Sequence, residues 1–203
     1  MARGHAWAFH RAHSEDCDMS VTLVLGGARS GKSRYAESLA KGERHYIATA
    51  EIFDDEMRMR ISQHRAQRGA GWDTLEAPLD LVEAIAAVDG KGRFVLVDCI
   101  TIWISNVMHA KRDVAADVAL LCAALKTVKA RVVLVSNEVG QGIVPDNALA
   151  RAFRDEQGRA NQRLAEACDE VVFVTAGLPM VLKKAKRRPT TARRASSSRL
   201  RKV

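Results

Sequence analysis

The feature that most constrains this chain is a glycine-rich segment that directly follows an apolar run at residues 21–25. The segment fits the pattern GxxxxGK[ST], and its residues are Gly26, Gly27, Ala28, Arg29, Ser30, Gly31, Lys32 and Ser33. A strand, a glycine turn and a helix in this order predict a phosphate-binding loop, because glycines let successive N–H groups converge on phosphate oxygens. In such a loop Lys32 reaches the terminal phosphates and Ser33 ligates Mg²⁺. The alternative is a glycine turn that binds nothing.

Short apolar runs rich in β-branched residues alternate along the chain with segments of helical spacing. We predict strands at 21–25, 46–48, 94–97, 132–135 and 171–174, and helices at 32–41, 55–68, 79–88, 114–129 and 148–167. This alternation is typical of an α/β fold with a mainly parallel sheet and helices on both faces. A last run at 179–182 is predicted to return as an antiparallel edge strand. Ligands of such sheets bind at the carboxyl ends of the strands.

The formal net charge of +8 is concentrated at one end of the chain. Residues 183–203 contain ten of the 32 Lys and Arg residues and no acid, so the remainder carries 22 basic and 24 acidic residues. A basic tail short of large apolar groups is predicted to be disordered. It is either a solvated tail or a segment that attracts RNA, DNA or an anionic surface. The near-neutral remainder favours the solvated tail, and we expect no nucleic-acid partner.

We therefore predict three segments: a disordered N-terminal extension at 1–18, a P-loop domain at 19–183 and a disordered basic tail at 184–203. Met19, just before the first strand, is expected to be the natural start. The four cysteines, at positions 17, 99, 122 and 168, lack CxxC spacing, which disfavours a zinc site or disulfides and indicates a reducing, cytoplasmic location. We expect no membrane span, because the longest apolar run, at 94–104, is interrupted by Asp98.

Two of the predicted strands lead into polar residues at the ligand-binding edge. The run at 94–97 ends at Asp98, a carboxylate suited to hold Mg²⁺ opposite Ser33; the alternative is an Asp that only caps the next turn. After the strand at 132–135, Asn137 and Glu138 begin a loop that contains glycines. They are candidates for contact with substrate, and a plain connecting loop is the equal alternative.

The predicted helix at 55–68 carries Met57, Ile61 and His64 on one face. By spacing alone, a histidine beside apolar neighbours is more often packed or hydrogen-bonded than catalytic. The arginines at 58, 60, 65 and 68 either meet an anionic ligand or solvate the outer face. The residues of this helix therefore leave the role of His64 open.

Several separately spaced motifs together resemble one family, the bifunctional adenosylcobinamide kinases and adenosylcobinamide-phosphate guanylyltransferases of cobalamin assembly. The motifs lie at 26–33, 48–50, 54–57, 60–61, 64–65, 98–101, 137–140, 143–145, 151–155 and 158–164. The resemblance implies a RecA-like P-loop fold, a homotrimer and a histidine, His64 by position, that becomes covalently guanylylated. It also implies a guanine-nucleotide site that includes Ala48, Thr49, Ala50, Arg65, Ala66, Gln67, Arg68, Glu76 and Asp98.

The activity that the resemblance implies has two steps. Adenosylcobinamide is phosphorylated by ATP or GTP with Mg²⁺, and GMP is then transferred from GTP through His64 to adenosylcobinamide phosphate, giving adenosylcobinamide-GDP and pyrophosphate. One alternative is a simple P-loop kinase of another small alcohol, with a structural His64 and no protein-bound nucleotide. The other is a RecA-like nucleic-acid-binding ATPase, which predicts salt-dependent binding through the basic tail.

Overall fold

A seven-stranded sheet forms the centre of the fold. The computed structural model describes residues 20–50 and 70–185, and the elements below belong to these ranges. The strands are β1 Val21–Gly26, β2 Glu43–Ala48, β3 Asp73–Glu76, β4 Arg93–Asp98, β5 Arg131–Asn137, β6 Glu170–Thr175 and β7 Leu178–Lys183. Their order is β3-β2-β4-β5-β1-β6-β7, and β7 is the one antiparallel strand. The predicted parallel sheet with an antiparallel edge strand is confirmed.

Five α-helices are described alongside the sheet. They are α1 Lys32–Ser38, α2 Leu81–Val88, α3 Ile100–His109, α4 Val114–Leu125 and α5 Ala148–Ala167. Asn147 caps α5, and Asp113 caps α4 by accepting a hydrogen bond from the Ala116 N–H. In the described part of the chain no helix is long and apolar enough to cross a membrane.

Within residues 20–50 and 70–185, the two faces of the sheet are covered unequally. Alternation along β1 points Leu23 and Leu25 to one face and Val24 to the other. The face that receives Leu23, the large face, packs against α2, α3, α4 and α5 in a cluster of 26 buried residues. The face that receives Val24, the small face, packs against α1 in a cluster of 11 buried residues among those described. Helices therefore lie on both faces, as predicted.

Two elements were missed by the sequence analysis. Strand β3 has four residues, all exposed, so it carries no apolar run, and its pairing with β2 alone makes it a strand. Helix α3 continues the apolar run that begins in β4, and its β-branched residues hide its period. Ile100, Ile104 and Val107 are nevertheless buried at helical spacing on the large face.

Some predicted boundaries differ from the structure. Helix α1 ends at Ser38 rather than residue 41, because the N–H groups of Leu39 and Ala40 donate to carbonyls three residues back. Helix α4 ends at Leu125 rather than 129 for the same reason. Helix α2 begins at Leu81 rather than 79, and β2 begins at Glu43 rather than 46. The predicted helix at 55–68 lies outside the described residues.

Candidate functional site

The glycine-rich segment forms a compact turn between β1 and α1. The Gly27 carbonyl accepts hydrogen bonds from the Ser30 N–H (3.3 Å) and from Lys32 Nζ (3.0 Å). Gly31 ends the turn with φ at 94°, a left-handed conformation that favours glycine, and α1 begins at Lys32. The turn therefore has the strand–loop–helix order that the sequence predicts for a phosphate-binding loop.

Close packing explains why Gly26 is a glycine. A Cβ there would lie 2.4 Å from the Val174 carbonyl oxygen and 2.6 Å from Ser30 Oγ. From the adjoining β6–β7 connection, the Gly177 N–H donates to the Ser30 carbonyl at 2.9 Å. Near Gly27, by contrast, a Cβ would meet no atom of the described residues within 4 Å. Strand β6 and the β6–β7 connection thus support the turn from one side.

Lys32 is a buried cation at this turn, with a relative exposure of 9%. Burial lowers the pKa of its ammonium group, and the nearby Cys99 and Asp98 partly oppose that shift. Asp98 accepts a hydrogen bond from the Tyr46 hydroxyl at 3.2 Å. A cation within electrostatic range of Asp98, at the carboxyl end of β4, can offset the charge of a bound phosphate group.

Cys99 follows Asp98 and remains a thiol. Burial, and after it the neighbouring Asp98, raise the pKa of Cys99 to about 12. A neutral thiol is a poor nucleophile at physiological pH. We therefore assign Cys99 a packing role on the small face, where it is buried.

Strand register aligns the predicted site residues along one edge of the sheet. Ala48 pairs with Glu76 on β3 and with Asp98 on β4, while Gly26 pairs with Asn137 on β5. With about 4.8 Å between neighbouring strands, β4 lies about 10 Å and β3 about 19 Å from β1. The edge therefore has two parts, a P-loop half at the ends of β1, β5 and β4 and a β2–β3 half at the ends of β2 and β3.

Thr49 connects these two halves. Its hydroxyl donates to the Cys99 carbonyl and accepts from the Cys99 N–H, both at 2.8 Å, and its side chain is fully buried. Its carbonyl accepts from the Asn106 side chain at 2.8 Å. The neighbouring Ala48 carbonyl accepts from the Ala77 N–H at 2.8 Å. Thr49 thus holds the ends of β2 and β4 at a fixed separation.

The segment that follows β5 is held against the P-loop. The Glu138 N–H donates to the Gly26 carbonyl at 3.1 Å, and the Asn137 N–H donates to Thr101 Oγ1 at 2.7 Å. Asn161 on α5 donates through its side-chain nitrogen to the Asn137 carbonyl at 3.0 Å. Asn137 Oδ1 is buried and has no hydrogen-bond partner among the described residues.

A buried polar cluster on α5 was missed by the sequence analysis. Gln157 is fully buried, and its side-chain nitrogen donates to Ser136 Oγ (2.9 Å) and to Asn161 Oδ1 (3.0 Å). Ser136 Oγ also donates to Asn161 Oδ1 at 2.7 Å. The i, i+4 spacing of the two amides beside the buried Leu164 is the sequence signal that could have revealed this cluster. Tyr46 and Thr101 were missed as well, since a lone hydroxyl leaves no pattern.

Five predicted site residues lie outside the described ranges: His64, Arg65, Ala66, Gln67 and Arg68. Within the described ranges, no cluster of three or more His, Cys, Asp or Glu residues is placed to hold a metal ion. The donors available at the P-loop half are instead the Ser33 hydroxyl and the Asp98 carboxylate. Hard oxygen donors of this kind fit Mg²⁺, which keeps several waters and binds substrate phosphates.

Comparison with known proteins finds relatives over most of the chain. A family model described as "Cobinamide kinase / cobinamide phosphate guanyltransferase" matches residues 22–182. The "Bifunctional adenosylcobalamin biosynthesis protein CobP" of Pseudomonas aeruginosa is 46% identical over 168 residues, which are 79% of this chain and 96% of that protein. The "Bifunctional adenosylcobalamin biosynthesis protein CobU" of Salmonella typhimurium is 44% identical over 180 residues, 80% of this chain and 99% of that protein.

A solved structure agrees on the fold. The "prototypical ATPase from the type III secretion system of pathogenic bacteria" aligns with a TM-score of 0.51 and 9% identity, over 77% of this chain and 51% of that chain. At this identity the likeness concerns the fold alone. It confirms the predicted α/β, RecA-like P-loop architecture.

Proposed function

Because the chain belongs to the cobinamide kinase and cobinamide phosphate guanyltransferase family, we propose that it phosphorylates adenosylcobinamide and then converts the product to adenosylcobinamide-GDP. The observation that carries this proposal is the row of strand ends at one edge of the sheet, where Gly26, Asn137, Asp98, Ala48 and Glu76 stand on neighbouring strands. Such a row offers space for a nucleotide and an acceptor side by side.

In the kinase step, the hydroxyl on the aminopropanol arm of the acceptor attacks the γ-phosphorus of ATP or GTP. The new O–P bond forms as the bond to the β-phosphate oxygen breaks, and the nucleoside diphosphate leaves. Lys32 and the N–H groups of the turn stabilise the charge on the phosphates. The support for this role is the burial of Lys32, because a desolvated cation interacts more strongly with a phosphate than an exposed one.

Ser33 and Asp98 would hold Mg²⁺ in this step. The ion would supply charge neutralisation between the β- and γ-phosphates. Tyr46 orients the Asp98 carboxylate through its 3.2 Å hydrogen bond, and Thr49 fixes the backbone that follows Asp98. These contacts keep the carboxylate in one place while substrates bind and leave.

In the guanylyl step, neutral His64 attacks the α-phosphorus of GTP. A nitrogen–phosphorus bond forms, the bond to the β-phosphate oxygen breaks, and pyrophosphate leaves. The phosphate of adenosylcobinamide phosphate then attacks the same phosphorus and releases His64. Ala48, Thr49, Ala50 and Glu76 at the β2–β3 half, together with Asp98 and with the segment from Arg65 to Arg68, would form the guanine-nucleotide site. Covalent catalysis of this kind divides one displacement into two easier ones.

A homotrimer is part of the proposal, and the edge strand β7 supports self-association. Leu178, Met180, Val181 and Leu182 are between 44% and 59% exposed on this strand. No other described strand pairs with the outer edge of β7. A sheet edge with apolar side chains is a surface that proteins usually cover. Light scattering after size exclusion should give a trimer for the wild type and smaller species for Met180→Lys. A monomeric wild type would remove this part of the proposal.

The proposed function is tested by product analysis. The purified protein is incubated with adenosylcobinamide, Mg²⁺ and either ATP alone or ATP with GTP. The corrinoids are then separated, and their masses are measured by mass spectrometry. We expect phosphorylated acceptor with ATP alone and the GDP-linked product when GTP is added. Phosphorylation without the GDP-linked product would favour the simple kinase. Nucleotide hydrolysis that depends on added nucleic acid would favour the RecA-like ATPase.

A further inference from the structure

The loop between β5 and α5 exposes apolar side chains at the substrate edge of the sheet. Ile143 is 98% exposed and Val144 is 59% exposed, and Leu149 in the first turn of α5 is 64% exposed. A single exposed apolar residue needs no explanation. Three within seven residues, at the edge where a parallel sheet binds ligands, indicate a contact surface.

This loop is firmly attached at both ends. At its start, Glu138 donates through its N–H to the Gly26 carbonyl (3.1 Å), and its Oε1 accepts from the Gly140 N–H (2.6 Å). At its end, Arg151 Nη1 donates to the carbonyls of Pro145 (3.0 Å) and Asp146 (2.6 Å). Ile143 and Val144 lie between these attachments. The fold therefore holds two apolar side chains out in solvent beside the P-loop.

Buried amides strengthen the first attachment. Gln157 and Asn161 join Ser136 in a polar cluster with no contact to solvent at Gln157, and Asn161 holds the Asn137 carbonyl. The hydrogen bonds among the three polar side chains offset much of the cost of their burial, and Gln157 Oε1 has no partner among the described residues. The cluster thus fixes the end of β5, and with it the direction in which the loop leaves the sheet.

The location of the loop limits what it can contact. β5 neighbours β1, and Asn137 pairs with Gly26, so the loop begins one strand away from the bound phosphates. We place the acceptor of the kinase step on this side, because on the other side of β1 the β6–β7 connection packs against the phosphate-binding turn. In the proposed function that acceptor is a corrinoid, a broad macrocycle that carries amides at its rim and methyl groups that make parts of its faces apolar, and its reactive hydroxyl is at the end of one arm. Sites for large ligands are mainly apolar with few polar groups.

We propose that Ile143 and Val144 contact the apolar face of the corrinoid acceptor and determine its affinity in both steps. The inference rests on the proposed function and assigns the acceptor-binding element within it. Asn137 and Glu138 lie at the base of the loop, where Asn137 pairs with Gly26 and the Glu138 N–H donates to the Gly26 carbonyl. Burial of one such side chain against a ligand changes affinity by about tenfold or more.

The test compares Ile143→Ser/Val144→Ser with Leu120→Ser, a control on α4 that changes a similarly exposed leucine (61%) away from the loop. Binding of adenosylcobinamide, called cobinamide below, is measured by calorimetry, and its KM, the KM for ATP, the thermal melt and the oligomeric mass are recorded. We expect the double variant to weaken cobinamide binding by about tenfold or more. The ATP KM, the melt and the mass should stay as in the wild type. The single variant Ile143→Leu, which keeps an apolar side chain, should bind cobinamide with most of the wild-type affinity.

Unchanged cobinamide binding in the double variant of an active enzyme overturns this inference and leaves the proposed function standing. A change in oligomeric mass also overturns it, because the loop would then contact a second copy of the chain. A wild type that neither binds nor phosphorylates cobinamide removes the proposed function itself. These outcomes therefore distinguish a failure of the loop inference from a failure of the proposed function.

Discussion

The two faces of the sheet differ in both packing and chemistry. The large face buries 26 residues beneath four helices, whereas the described small face buries 11 residues beneath α1. Lys32 belongs to α1, and the Tyr46 side chain that contacts Asp98 is part of the small-face cluster. The proposed nucleotide chemistry therefore lies on the face that buries fewer of the described residues.

This division has a physical explanation. Buried apolar area supplies most of the folding free energy, so the large face can hold the sheet rigid with little help from the small face. The small face can then keep a desolvated lysine and an open phosphate turn, both of which cost stability. Substitutions on the small face should consequently affect activity more than stability, and those on the large face the reverse.

The largest expected effect is on the small face. Lys32→Ala should lower kcat for γ-phosphoryl transfer by about 10² to 10³-fold, because one preorganised charged donor is lost. The melting temperature should stay within about 4 °C, since the change costs no more than about 1 kcal/mol of folding free energy. Kinase turnover and a thermal melt are measured side by side, with Lys41→Ala, an exposed lysine just beyond α1, as the control. Near-normal turnover in folded Lys32→Ala would remove the P-loop assignment.

A core substitution on the large face should give the opposite result. Leu121 is fully buried on α4. Leu121→Ala should lower the free energy of unfolding by about 2–5 kcal/mol through lost burial and a cavity. Its neighbour Leu120 is 61% exposed, and Leu120→Ala should change stability by no more than about 0.5 kcal/mol. Urea unfolding measures both. If Leu121→Ala lowers kcat per folded molecule as strongly as Lys32→Ala does, the large face does not act mainly through stability, and the proposed difference between the faces is wrong.

The two buried thiols, one on each face, test how completely water is excluded from the two faces of the sheet. Burial raises the pKa of Cys99 on the small face and of Cys168 on the large face to about 12, above the ordinary value of 9.0. As pH rises above 9, the unfolded thiol ionises and the folded one does not, so each thiol's contribution to stability falls by about 1.4 kcal/mol per pH unit. Cys99→Ala and Cys168→Ala should therefore both become less destabilising, relative to wild type, as pH rises. An effect at Cys168 alone would mean that water reaches Cys99.

Sequence reasoning predicted the strands and the phosphate turn because their signals are local. The run at 21–25 and the glycines after it fix a strand and a turn without reference to the rest of the chain. Strand β3 was missed because its four residues are exposed and its order comes only from pairing with β2. Helix α3 was missed because β-branched residues obscure its period.

The two charged residues of the candidate site, Lys32 and Asp98, could be proposed from the sequence because each stands in a recognisable pattern. In the structure Asp98 is close enough to Lys32 to raise the pKa of its ammonium group. Tyr46, Thr101, Gln157 and Asn161 were not found, because their roles come from contacts with residues at least 21 positions away. Polar side chains on a polar helix appear solvent-exposed until the packing of that helix is known.

Guanylyl transfer by the chain that also transfers the γ-phosphoryl group depends, in the proposed function, most on His64. Incubation with Mg²⁺ and α-labelled GTP should give a protein adduct, acid-labile and alkali-stable as expected for a phosphoramidate, with release of pyrophosphate. His64→Ala should lose the adduct and the GDP-linked product and keep kinase activity, whereas His109→Ala, at an exposed position on α3, should keep all three. An adduct of unchanged yield in His64→Ala, or no adduct in the wild type, would contradict guanylyl transfer through His64.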